Sequence, residues 1–167
     1  MSEVAPFTIA HTFLAPRALV YAVHTQPDHL AQWLSPEGFH SIHAAMDLRV
    51  GGTYHYGLEG PAGMQMWGLQ TFREIVPGEK LVYLQSFSDK DGGLTRHPMA
   101  PTWPLKMLAT TTFEDAGPGK TRLAISWHPH ESDDAGTATF EGARAAMQGG
   151  FAGTFAKLES YLAQLQS

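Results

Sequence analysis

Alternating apolar and polar positions dominate the first two-thirds of the chain. Residues 7–15 place every second side chain on one apolar face, and a period of two is typical of a half-buried strand. Two short apolar stripes with helical spacing follow, over about residues 16–25 and 27–34, and each begins at a proline. The chain is therefore expected to begin with a strand and two short helices.

Further alternating segments fill residues 39–128. Turn residues such as Gly51-Gly52 and Pro77-Gly78 separate them, and such short connections join antiparallel neighbours. One connection, Asp89–Pro104, is longer and is stiffened by prolines. The pattern predicts strands at about 40–50, 53–59, 64–76, 80–88, 106–114 and 121–128.

The last segment, from about Thr137 to Gln166, has apolar residues at helical spacings of three and four. Four glycines lie in its first half, and each costs about 0.5–1 kcal/mol relative to alanine inside a helix. We expect this cost to be offset by close packing of the helix backbone against the sheet or by a bend. The whole pattern predicts an α+β fold, one domain over residues 1–167. A curved antiparallel sheet of about six or seven strands would wrap around the long C-terminal helix.

The composition narrows the function classes. The chain has 167 residues, a net charge of −5 and no cluster of Lys and Arg, so binding to nucleic acid is not expected. The lack of cysteine excludes disulfides and thiol chemistry. No apolar run is long enough for a membrane span, and no signal segment is evident, so we expect a cytoplasmic protein. Only 16% of residues are charged, and the apolar surplus can form walls facing a ligand.

Several short motifs occur in a fixed order. They are Ala15-Pro16-Arg17, Pro27-Asp28-His29-Leu30, Asp47-Leu48-Arg49-Val50-Gly51-Gly52, Arg73-Glu74-Ile75-Val76-Pro77-Gly78 and Gly150-Phe151-Ala152-Gly153-Thr154-Phe155. The set resembles the START-like (SRPBCC) superfamily over about residues 7–165, in the branch named after the activator of Hsp90 ATPase. The resemblance implies a helix-grip fold, START-like or Bet v 1-like, with a deep pocket between sheet and C-terminal helix. Phe151 stands where the family usually has tryptophan, which changes the pocket volume but not its apolar character.

We interpret the chain as a binding module for a small, mostly hydrophobic molecule, held in a pocket of at least about 300 Å³. Arg96 and His97 would be its polar contacts, and Trp103 lies in the same proline-rich loop. The predicted walls are Trp33, Tyr54, Tyr56, Phe87, Met107 and Phe151. Taken singly, each of these residues more often fills an ordinary core than lines a cavity.

Two other functions remain open. A cyclase- or hydrolase-like enzyme would use the same cavity, with His97 or His11 moving a proton. A co-chaperone would stimulate an Hsp90-type ATPase through a surface patch and act in the stress response. The superfamily hosts several activities, so the resemblance does not choose among them. Exposed sheet edges also make a homodimer plausible.

No motif identifies a catalytic residue, a cofactor or a metal site. His40 and His43 should lie on opposite faces of a regular strand, which disfavours joint metal binding. Asp47 and Arg49 share a strand face and are expected to form an ion pair beside the Gly51-Gly52 turn.

Overall fold

A computed structural model describes residues 4–167 of the chain, so residues 1–3 of the predicted domain lie outside it. The strands are β1 (Phe7–Phe13), β2 (His40–Met46), β3 (Thr53–Glu59), β4 (Gln65–Val76), β5 (Lys80–Ser88), β6 (Leu94–Thr95), β7 (Met107–Asp115) and β8 (Thr121–Pro129). The helices are α1 (Arg17–Thr25), α2 (Pro27–Trp33), α3 (Asp134–Gly142) and α4 (Arg144–Leu165). The α+β fold is confirmed, and the two-residue β6 is an additional strand inside the long connection.

The strands form one open antiparallel sheet in the order β1-β8-β7-β5-β4-β3-β2, and β6 pairs with β5. Tight turns join most sequential neighbours, as the glycine and proline positions predict. At the β4–β5 turn Gly78 has a φ of +76°, a conformation that L side chains rarely adopt. Within the described part of the chain, no helix combines the length and the apolar character needed to cross a bilayer.

The concave face of the sheet carries the main core, and three helices cover parts of it. Helices α1 and α2 bury Val20, Val23, Leu30 and Trp33 among side chains of the sheet. Helix α4 lies against β1, α2 and α3. It contributes Phe155, Leu158 and Leu162 to the core. Tyr56 and Tyr83 of the sheet are partly buried and pack against the same core.

The predicted C-terminal helix is two helices. Ala143 has φ −96° and ψ 1°, which ends α3 and starts α4 in a new direction. Arg144 stabilises the junction, because its guanidinium donates to the carbonyls of Ala5 and Pro6 and pairs with Glu141. Gly142 therefore lies at a bend, one of the two outcomes expected for the glycines.

The close packing expected at the other three glycines is wrong. A Cβ built at Gly149, Gly150 or Gly153 meets no atom within 4 Å. These positions are exposed, on the side of α4 opposite the buried Phe155 and Leu158. Neither the sheet nor a ligand in the interior needs glycine there.

Gly149→Ala should raise the free energy of unfolding by about 0.5–1 kcal/mol, since alanine gains helix propensity in open space. Urea denaturation measures the change. Gly136→Ala is the matched control in α3, where a Cβ would lie 2.3 Å from Ser132 Oγ, and it should give no gain. A destabilised Gly149→Ala would show that this surface is occupied in the folded protein.

A β-bulge in β2 places His40 and His43 on the same side of the sheet. The register shifts between Ser41 and His43, so that His40 pairs with Glu59 and His43 with Gly57. Both histidines thus lie on the convex face, and the expectation of opposite faces is wrong because Ile42 adds one residue. Within residues 4–167, no group of three or more His, Asp and Glu side chains could hold a metal ion.

The ion pair expected after β2 is confirmed. Arg49 Nε lies 2.5 Å from Asp47 Oδ2, and both side chains are exposed. Gly51 has a φ of +85°, and Gly52 N–H donates to the Arg49 carbonyl. The Asp47–Arg49 ion pair and the Gly51-Gly52 turn lie together in the connection between β2 and β3.

Candidate functional site

Cross-strand pairing arranges the concave face in rows. One row runs Phe72–Tyr83–Ala109–Trp127–Phe7. The next row runs Tyr54–Gln70–Gln85–Met107. The third row runs Ala44–Tyr56–Gly68–Phe87. The rows bring side chains from strands distant in sequence onto one surface.

The middle of this surface is only partly buried. Five side chains there are half-buried, although buried residues flank them in the same rows. They are Tyr56, Gln70, Tyr83, Gln85 and Phe87, and we call this region the central cleft.

Tyr56 is held in the cleft from three sides. Its ring lies over Gly68, where a Cβ would come within 2.3 Å of the tyrosine hydroxyl. The ring also stacks on Tyr54, with centroids 5.1 Å apart. The hydroxyl accepts a hydrogen bond from Gln85 Nε2 at 2.9 Å. The position of the phenol is thus fixed by neighbours on its own strand and on two others.

Three polar side chains form a chain of hydrogen bonds across the cleft. Gln70 Nε2 donates to Gln85 Oε1 at 3.0 Å, and Gln85 Nε2 in turn donates to Tyr56. Burial raises the pKa of Tyr56 to about 12 and also raises the pKa of Tyr83. Both phenols therefore keep their protons at neutral pH and can act as hydrogen-bond donors.

The Asp89–Pro104 loop borders one end of the cleft. The rings of Phe87 and His97 lie 4.5 Å apart, and Trp103 packs against Phe140 of α3. His97 Nδ1 accepts a hydrogen bond from the Met99 N–H at 3.0 Å. Burial lowers the pKa of His97, which favours the neutral ring that this bond requires. The loop is thus attached to both β5 and α3.

The structure brings together only part of the predicted site. Phe87, His97 and Trp103 form one aromatic group, and Tyr54 and Tyr56 form another. Three predicted walls are almost wholly buried in the core: Trp33, Tyr54 and Met107, at 3%, 2% and 1% exposure. Phe151 contacts Trp127 with centroids 5.1 Å apart, whereas Arg96 is exposed on the loop.

Sequence reasoning missed four residues of this surface. Gln70, Gln85, Tyr83 and Trp127 all face the concave side. The signal for them was present, since period two places Gln85 on the same face as Phe87. Glutamine in a strand looks like a solvent-facing residue, and its role becomes visible only when the paired strand supplies the second glutamine.

Two hollows are described, and both lie outside the cleft. One of about 250 Å³ is on the convex face, between side chains such as Thr8, Thr110 and Arg122. The other, of about 510 Å³, lies between α2 and α4 and is lined by Gln32, Lys157 and Tyr161, among others. Neither lies between the sheet and the C-terminal helix, so among residues 4–167 the expected pocket of at least about 300 Å³ there is not found.

The fold matches several solved bacterial structures. A protein of Chromobacterium violaceum is 24% identical, with a TM-score of 0.70 over 94% of this chain and 96% of its own. A protein of Arthrobacter aurescens is 23% identical, with a TM-score of 0.77 over 96% and 87%. The AHSA1 protein of Silicibacter pomeroyi is 17% identical, with a TM-score of 0.69 over 96% and 99%. At these identities the likeness shows the shared helix-grip fold.

The amino-acid sequence was also compared with curated proteins and with models of protein families. No curated protein matches the chain. The family model described as activator of Hsp90 ATPase homolog 1-like protein matches residues 14–163, which include both short helices, strands β2–β8 and nearly all of α4. This chain therefore belongs to the activator of Hsp90 ATPase homolog 1-like family.

Proposed function

We propose that the protein binds a small, mostly hydrophobic molecule in the central cleft, between the sheet and the C-terminal helix. The observation that carries the proposal is the partial exposure of Tyr56, Tyr83 and Phe87 beside the buried core of the concave face. When a ligand covers this exposed aromatic surface and removes it from water, the free energy of the complex falls.

The central cleft is bordered by aromatic side chains that are already fixed in position, which supports ligand binding there. On one side Phe151 of α4 packs edge-on against Trp127. At one end His97 and Trp103 are fixed by the loop, so little ordering entropy is lost when a ligand contacts them. A preformed, largely apolar surface with a few polar groups is the usual character of a small-molecule site.

The description of the family supplies a second function, activation of the Hsp90 ATPase. That activity requires a docking surface for a large partner. The half-buried aromatic residues expose only part of their surface on the concave face, and this favours a small molecule over a large partner.

The neutral fluorescent probe N-phenyl-1-naphthylamine should bind with a saturable, one-to-one rise in fluorescence. Phe87→Ala should weaken binding about tenfold, since it removes an aromatic wall that contributes roughly 1–2 kcal/mol. Trp67→Ala is the matched control, because Trp67 is a half-buried aromatic residue on the convex face of the neighbouring strand. Its affinity for the probe should stay unchanged.

Equal weakening by both variants would place the probe elsewhere, and absence of saturable binding would reject the proposal. Thermal denaturation of each variant confirms that it is folded under the conditions of the titration.

A further inference from the structure

In the hydrogen-bonded chain of the cleft, Gln70 donates to Gln85 and Gln85 donates to Tyr56. Gln85 uses its amide N–H groups to donate to Tyr56 Oη at 2.9 Å and to the Ser86 carbonyl at 3.2 Å. Its Oε1 accepts from Gln70. The tyrosine oxygen is therefore an acceptor within this chain, and the phenolic hydrogen remains available to a further acceptor. Because the phenol is protonated at neutral pH, it presents a donor to the cleft.

A second donor lies on the same concave face. The indole Nε1 of Trp127 is buried and has no hydrogen-bond partner within the described residues. Its ring packs on Phe151, and the small Ala109 separates it from Tyr83 in the row. A buried N–H without an acceptor is costly, and an acceptor oxygen supplied by a ligand removes that cost.

Charge is nearly absent from this surface. Two concave-face side chains of the described strands other than tyrosine are ionisable: His11, which faces Glu159 at 3.5 Å, and Asp115, which pairs with Arg17 at 3.2 Å. Asp115 lies at the opposite end of β7 from Met107, and His11 lies on the edge strand β1. His97 at the end of the cleft is also ionisable, but burial lowers its pKa and its Nδ1 accepts from Met99 N–H, so the ring is neutral. An anionic ligand would therefore lose hydration in the cleft without gaining a buried counter-charge.

We infer that the ligand of the central cleft is a neutral molecule whose apolar body carries at least one carbonyl-type acceptor oxygen, bound by the Tyr56 hydroxyl. This inference rests on the proposed function and adds the chemical class of the ligand. Gln85 is a positioning residue here, because it holds the phenol through its oxygen and leaves the phenolic hydrogen to the ligand.

Three matched probes test the class: naphthalene, 2-acetylnaphthalene and 2-naphthoate, titrated at pH 7.5 by isothermal calorimetry. They share one ring system and differ in carrying no polar group, a neutral ketone or a carboxylate. The ketone should bind at least tenfold more tightly than the carboxylate, and about fivefold more tightly than naphthalene. Tyr56→Phe should remove most of the fivefold preference for the ketone over naphthalene, while the affinity for naphthalene stays the same.

The control variant is Tyr161→Phe. It removes a hydroxyl that bonds His29 Nδ1 at 2.6 Å between α4 and α2, outside the cleft, and should leave all three affinities unchanged. Carboxylate binding as tight as ketone binding overturns the inference and leaves the proposed function standing. An unchanged ketone preference in folded Tyr56→Phe also overturns it. If none of the probes binds, including N-phenyl-1-naphthylamine, the proposed function fails and the inference with it.

Discussion

Trp33→Ala should lower the free energy of unfolding by about 3–5 kcal/mol, the usual range for a large aromatic side chain removed from a core. Trp33 is 3% exposed and packs among Val20, Val23 and Leu30. Its indole N–H donates to the Val23 carbonyl at 3.0 Å. The variant therefore creates a cavity and also leaves a buried carbonyl without its donor.

Urea denaturation of the purified protein measures this loss. Trp103→Ala is the control, since Trp103 is half-buried at the edge of the second core cluster and should cost less than half as much. A loss below about 1 kcal/mol for Trp33→Ala, together with weaker probe binding, would show that Trp33 is a cavity wall.

Acidification from pH 7 towards pH 4 should destabilise the protein through His24, by no more than about 3 kcal/mol. Burial of the ring against Trp33 and Phe113 lowers the pKa of His24 to about 4, and the hydrogen bond from Nδ1 to the Val20 carbonyl opposes this only in part. In the unfolded chain the group titrates near its ordinary value of about 6.5.

The direction of the effect follows from these two values. Between pH 6.5 and 4 the unfolded chain takes up a proton that the folded protein does not, so stability is complete above about pH 6.5 and falls as the pH drops. His24→Leu should flatten this part of the profile, measured as the difference from the wild type in urea denaturation at several pH values. Identical profiles for wild type and His24→Leu would contradict the expectation.

The local pattern was sufficient to predict the strands, because each half-buried strand has its own alternation. Tyr56 and Phe87 were assigned to one face for the same reason, and pairing confirms that both lie on the concave side. The break at Ala143 could not be predicted, since helical spacing continues through it. It coincides with hydrogen bonds from Arg144 to the backbone of Ala5 and Pro6, which lie 139 and 138 positions away in the sequence.

The candidate site was less accessible to sequence reasoning than the fold. Aromatic residues on a strand face can fill a core or line a cleft, and the difference depends on which side chains pack over them in the folded molecule. Trp33 and Tyr54 became core, whereas Tyr56 stayed half-exposed only one period along the same strand as Tyr54. The position of a helix over a sheet is a property of the packed molecule, and no local pattern encodes it.

The bulge at Ile42 has a consequence for how copies of the molecule meet. β2 is one of the two edges of the open sheet, and an unbroken edge offers unpaired N–H and C=O groups to a strand of another chain. The extra residue interrupts that regular array, a common protection against edge-to-edge aggregation. The bulge therefore disfavours extended pairing of β2 with a strand of another copy. This protection is independent of the aromatic side chains that are partly exposed on the concave face.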